Sequence, residues 1–108
     1  MLPLACLYGF HGAGGTLLEV KRLDLPAGSA PDAVYHWLWQ PAGSDGWQKL
    51  GFVAMASEPQ QYRRFAEGEL WFDAAGARLQ LGGQQQQLAA GSPDGWQASV
   101  SAWLQAQR

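Results

Sequence analysis

The sequence predicts an α+β fold: a single globular domain over residues 1–108, built on a mostly antiparallel meander sheet of about six strands, with a short helix after strand four and a C-terminal helix packed on one face. A small half-open β-barrel capped by the C-terminal helix is the alternative. Three observations carry this expectation. Apolar residues recur with a period of two through most of the chain, they recur at helical spacing only near its end, and Gly- and Pro-rich turns separate the alternating segments.

The chain is organised around Ala33 to Ala56, which reads as a β-hairpin. Tyr35, Trp37 and Trp39 alternate with Val34, His36 and Leu38, so the aromatic set shares one face of a strand. The partner strand, after the turn residues Pro41 to Gly46, sets Leu50, Phe52 and Ala54 against Trp47, Val53 and Met55. Both faces are largely apolar, which places this hairpin in the middle of a sheet.

Upstream, Leu4, Cys6, Tyr8 and Phe10 alternate with Ala5, Leu7 and Gly9, and His11 to Gly15 supplies a turn. The return strand changes parity between Leu18/Val20 and Leu23/Leu25, which predicts a β-bulge near Lys21–Arg22. Residues Pro26 to Asp32 read as a loop. Downstream, Ser57 followed by Gln60 resembles a capping box, so a short helix is expected there, with Tyr62, Phe65 and Ala66 as its stripe and Gly68 as its stop. Glu69 to Gly82 reads as a second hairpin, turning at Asp73–Gly76 with Asp first and Gly fourth. The string Phe72 to Leu79 is similar to one unit of the tyrosine-aspartate repeats of large β-shell toxins, and a single copy is shared turn chemistry. Gln84 to Gln87 is expected as an exposed edge or loop. Ser92, Pro93 and Asp94 open the last helix, where Trp96, Val100, Trp103 and Leu104 form an apolar stripe.

Composition bounds function more than it assigns it. With 15% charged residues, a net charge of −2 and only two adjacent basic pairs, Lys21–Arg22 and Arg63–Arg64, the chain offers no basic patch for nucleic acid. No run reaches the ~20 apolar residues of a membrane span. The single Cys6 forms no disulfide within the chain, and a cytoplasmic location fits best. The loop His11–Gly15 is followed by Thr16–Leu17 instead of the Lys-Ser/Thr of a phosphate loop. No Gly-x-Ser-x-Gly elbow occurs, and one Cys with two separated His has no metal-ligand spacing. Neither cofactor nor metal is expected. Glu67 and Glu69 flank Gly68 as solvated polar residues.

Six tryptophans in 108 residues are several times ordinary usage. Tyr35, Trp37, Trp39 and Trp47 are therefore the candidate binding residues, because exposed aromatic side chains anchor interfaces and stack on sugars. The expected function is a non-enzymatic protein-binding module of the immunity, inhibitor or secretion-accessory type. Another protein is the expected partner, with self-association into a homodimer also open. The alternative is a small-ligand or carbohydrate-binding module using the aromatic face. A small enzyme with His11 or His36 as general base ranks third. Purified, tag-free protein is expected to hold no stoichiometric zinc, iron or copper by elemental analysis. Metal near one equivalent per chain, lost in a folded His36→Ala variant, would overturn that.

Overall fold

A computed structural model describes residues 4–22, 34–56 and 61–106. Among these residues the chain forms nine strands and one helix: β1 (Leu4–Gly12), β2 (Gly15–Arg22), β3 (Val34–Pro41), β4 (Gln48–Leu50), β5 (Phe52–Ala56), β6 (Gln61–Phe65), β7 (Gly68–Phe72), β8 (Gly76–Leu81), β9 (Gln84–Ala90) and α1 (Trp96–Ala106). The strands make one antiparallel sheet in the order β4-β3-β2-β1-β9-β8-β7-β6-β5. Its two edges, β4 and β5, are consecutive in the chain and separated only by Gly51. The sheet therefore curls until its edges are halves of one bent segment, giving a nearly closed barrel. This agrees with the barrel of the alternative, though the helix packs on the outer wall instead of capping an end, and it replaces the six-strand meander.

Curling is driven by what the inner face must bury. The register carries one interior row through Tyr8, Glu19, Trp37 and Leu50, and a second through Phe10, Leu17 and Trp39. Phe65, Leu70, Phe72, Ala77, Leu79 and Leu88 meet them from the other half of the sheet and complete one buried cluster. Counting β4 and β5 as one segment leaves eight staves, and a barrel of that size is just wide enough for its own side chains or one small ligand.

The outer face of β1, β2 and β3 carries a second core. Leu18, Val20, Leu38, Trp47 and Val100 are buried there, with Cys6, Trp96, Trp103 and Leu104 packed against them. The stripe expected for the last helix is the one that docks. At 11 residues α1 is shorter than the ~12–15 an isolated helix needs, so packing holds it. Each fully buried Leu or Val contributes roughly 1.5–3 kcal/mol. The Trp47 indole N–H also donates to Ser99 Oγ at 3.0 Å, tying the β3–β4 turn to the helix.

Three expectations are corrected and one is refined. The helix expected after Ser57 is, where described, the strand β6. Its Gln61, Arg63 and Phe65 alternate into the barrel while β5 and β7 take its backbone hydrogen bonds; Ser57 to Gln60 lie outside the described residues. The Gln84–Gln87 tract belongs to β9 and is mostly exposed; it pairs with β8 alone, because β1 meets β9 only at Ala89 and Ala90, so the expected exposed edge is found here as part of a strand. The bulge sits on β1 at Leu7, between Cys6 and Tyr8, while β2 pairs regularly with β3 as far as Arg22. That extra residue turns Cys6 toward α1 and Tyr8 into the barrel. Finally, α1 begins at Trp96, beyond Ser92, whose Oγ lies 3.4 Å from Cys6 Sγ. The β7–β8 hairpin is as read: the Asp73 carboxylate accepts the N–H groups of Ala75 and Gly76 at 2.8 and 3.2 Å, and Leu70 pairs with Leu79.

Trp103→Ala should cost about 2–3 kcal/mol in urea unfolding, below the ~3–5 kcal/mol of a fully buried Trp because this one is half-buried. Val53→Ala, at an exposed site, should stay within about 0.5 kcal/mol of the wild type. Equal midpoints for the two variants would mean that α1 is not docked.

Candidate functional site

One end of the barrel interior differs from the rest. It is the end from which the β7–β8 turn projects, and its innermost row holds Tyr8, Glu19 and Trp37 from β1, β2 and β3. Across the lumen stand Arg63 of β6 and Phe72 of β7. The Tyr8 and Trp37 rings stack with centroids 6.3 Å apart. Phe72 meets Tyr8 at 4.9 Å edge-on and Trp37 at 5.8 Å. Three rings from distant strands thus share one small volume, in the offset and edge-on geometries that aromatic quadrupoles favour.

Two ionisable groups lie within this aromatic wall. Arg63 is 8% exposed, with its guanidinium carbon 5.1 Å from the Phe72 ring centroid and 5.8 Å from that of Trp37. Its Nη1 donates to the Tyr62 carbonyl at 3.1 Å and its Nη2 to Gln61 Oε1 at 3.3 Å. Both acceptors are neutral and belong to its own strand. Glu19 is half-buried in the same row as Trp37. Burial pushes its carboxyl pKa above the usual range, and the Arg63 charge and the Trp37 side chain draw it back only in part.

The candidate residues of the central hairpin fall differently from a surface platform. Trp37 and Trp39 are 3% and 5% exposed, inside the barrel, and Trp47 is 6% exposed, beneath α1. Tyr35 is described by its backbone alone, paired with Lys21. The structure brings Trp37 together with Tyr8, Arg63 and Phe72, and puts Trp47 on the opposite side of the sheet. The helix shields the Leu38 side of β3, not the Trp side, because the barrel itself covers the latter.

The remaining polar candidates are scattered. His11 is exposed on β1 and His36 is buried on β3. Their β2 partners, Thr16 and Val20, stand about 13 Å apart along the strand at ~3.3 Å per residue. Cys6 donates to the Tyr8 carbonyl, and burial pushes its thiol pKa up, which keeps it protonated. Glu67 Oε1 accepts the Gly51 N–H at 2.8 Å, a structural task at the barrel seam. Among the described residues no three His, Cys, Asp or Glu are grouped to hold a metal, and no helix is long and apolar enough to cross a membrane.

Sequence reading missed Glu19 and Arg63. Glu19 alternates with Leu18 and Val20 as a polar strand face would, and Arg63 lies off the Tyr62, Phe65 and Ala66 stripe of the expected helix. The available signal was alternation: Gln61, Arg63 and Phe65 share a parity as strand residues, and Glu19 shares one with Leu17. Comparison with protein-family models, with curated proteins and with solved structures finds no match. The geometry of the barrel end therefore stands on its own.

A carboxyl held above its ordinary pKa favours the folded state when protonated, so its contribution is present at low pH and lost as pH rises through the raised value. Glu19→Gln removes that loss. The thermal midpoint of Glu19→Gln minus that of wild type should be larger at about pH 7 than at about pH 4. A difference that does not change with pH would show that Glu19 ionises as if in water.

Proposed function

We propose that this chain is a non-catalytic binding protein that takes a small, flat, largely apolar ligand at the aromatic end of its barrel. The observation that carries the reading is the convergence of Tyr8, Trp37 and Phe72 beside the Glu19 and Arg63 side chains. Small-molecule sites are concave and mostly aromatic or aliphatic, with a few placed polar groups, and the mouths of β-barrels are among their usual places. Ring faces supply stacking area without much loss of conformational entropy, and the polar pair fixes orientation. This is the small-ligand alternative of the sequence analysis, with Trp37 kept in the site and joined by residues from β1, β2, β6 and β7.

The protein-binding reading has a separate observation in its favour. Phe52 and Val53, on the edge strand β5, are 48% and 56% exposed, and exposed apolar residues on a sheet edge suit contact with another chain. The two readings place the binding surface on different sides of the barrel wall.

Titrating the nitrogen-15 labelled protein with small aromatic compounds separates them. The expected result is movement of the Trp37 indole N–H and of the Tyr8, Glu19 and Phe72 amide resonances, with the outward Trp71 and the helical Trp103 unmoved. Shifts confined to Phe52 and Val53, or to the Trp71 side of the barrel, would overturn the barrel-end reading.

A further inference from the structure

We infer that the ligand of the barrel end carries a carboxylate, received by the guanidinium of Arg63, so that the site selects small aromatic carboxylates. This rests on the barrel-end reading above and goes beyond it in naming the charge and chemistry of the bound group.

The argument begins with the state of Arg63. Its side chain is more than nine-tenths buried, and a guanidinium presents five N–H donors that stay charged at all ordinary pH values. Its hydrogen bonds go to two neutral oxygens, the Tyr62 carbonyl and the Gln61 amide. Among the described residues it makes no ion pair. The faces of Phe72 and Trp37 offset part of the cost of burying the cation. Such contacts are weaker than a charge-assisted hydrogen bond, and Glu19, near enough to feel the Arg63 charge but making no ion pair with it, offsets the cost of burying the cation only in part. An incoming anion would remove that cost at the moment it binds.

The surroundings then narrow the anion. A planar fork matches a carboxylate through two parallel N–H···O bonds, a match that the point charge of a lysine lacks. Among the described side chains Arg63 is the one cation on this part of the lumen wall, and the Glu19 carboxyl stands close enough to feel its charge. A carboxylate whose flat body lies against Tyr8, Trp37 and Phe72 fits both the fork and the walls.

The test uses three compounds with one skeleton: naphthoate, naphthalenemethanol and naphthalenemethylamine. Each is titrated by calorimetry into the wild type, Arg63→Gln and Glu19→Gln, with circular dichroism confirming that each variant is folded. The wild type should bind naphthoate at least about tenfold more tightly than the alcohol. Arg63→Gln should erase that preference, and Glu19→Gln should increase it. Should Arg63→Gln not fold, the Glu19→Gln comparison still decides, since removing a carboxyl beside Arg63 must strengthen binding of an anion there. Equal affinities for acid and alcohol in the wild type would overturn the role of Arg63 while leaving the barrel-end site standing. A preference for the amine would overturn it in favour of Glu19 as the anchor. Failure of all three compounds to bind would overturn the barrel-end reading itself.

Discussion

The interaction on which this fold depends is the seam at Gly51. Its N–H is held by the Glu67 carboxylate at 2.8 Å and its carbonyl by the Ala66 N–H at 2.7 Å, so the β6–β7 turn clamps the point where β4 becomes β5. A Cβ on residue 51 would stand 3.3 Å from the Ala66 methyl, tighter than ordinary contact. With the seam closed, the two edges of a nine-stranded sheet become one continuous stretch of chain. Trp37 on β3 can then reach Phe65 on β6 at 5.7 Å, although the two strands lie near opposite ends of the sheet order. An open sheet of the same sequence would leave this aromatic face in water.

Once the barrel exists, the period of two divides the chain between two cores. Along β2, Leu17 and Glu19 face inward, and Leu18 and Val20 face the helix; along β3, Trp37 and Trp39 face inward, and Leu38 faces outward. Neither face of this region is left for solvent, which accounts for an apolar content of 47% with so few charges. The bulge at Leu7 lets β1 serve both cores in turn, with Cys6 under α1 and Tyr8 in the lumen, although both residues have the same sequence parity. The inward Glu19 and Arg63 stand out as charged types beside this apolar cluster.

The sequence made local pairing legible and global curvature illegible. The first hairpin, the β7–β8 hairpin with its Asp73 turn, the two-faced strand of Trp37 and Leu38 and the stripe Trp96–Val100–Trp103–Leu104 all follow from alternation, turn chemistry or helical spacing. Closure does not, because it depends on Phe10 meeting Ala90 and on Gly51 joining the two edges, and no local pattern encodes such pairings. The reading of residues 61–65 as helix shows the competing rule: a Ser-x-x-Gln start is a local signal, while the demand of β5 and β7 for a partner between them is a tertiary one. That error also hid Arg63, since a residue assigned to the outside of a helix is not looked for inside a barrel. Trp37 was found as a site residue because its chemistry is visible in one dimension, whereas its neighbours Tyr8, Arg63 and Phe72 are brought to it only by the curl.

The pairing of β1 with β9 bears on how the molecule assembles. Every other ladder joins strands that follow one another in the chain and can form by short loop closures, but Phe10 and Ala90 are about 80 residues apart and only two residue pairs stitch their strands together. Loop-closure entropy rises with the logarithm of the enclosed length, so this ladder gains least for the order it imposes until the hairpins on either side have shortened the effective loop. Two half-sheets, β1 to β4 and β5 to β9, are thus natural kinetic units, hinged at Gly51 and joined last along β1 and β9. The aromatic end, drawing Tyr8, Glu19 and Trp37 from one unit and Arg63 and Phe72 from the other, comes into being only in that final step, so its formation reports on completed folding.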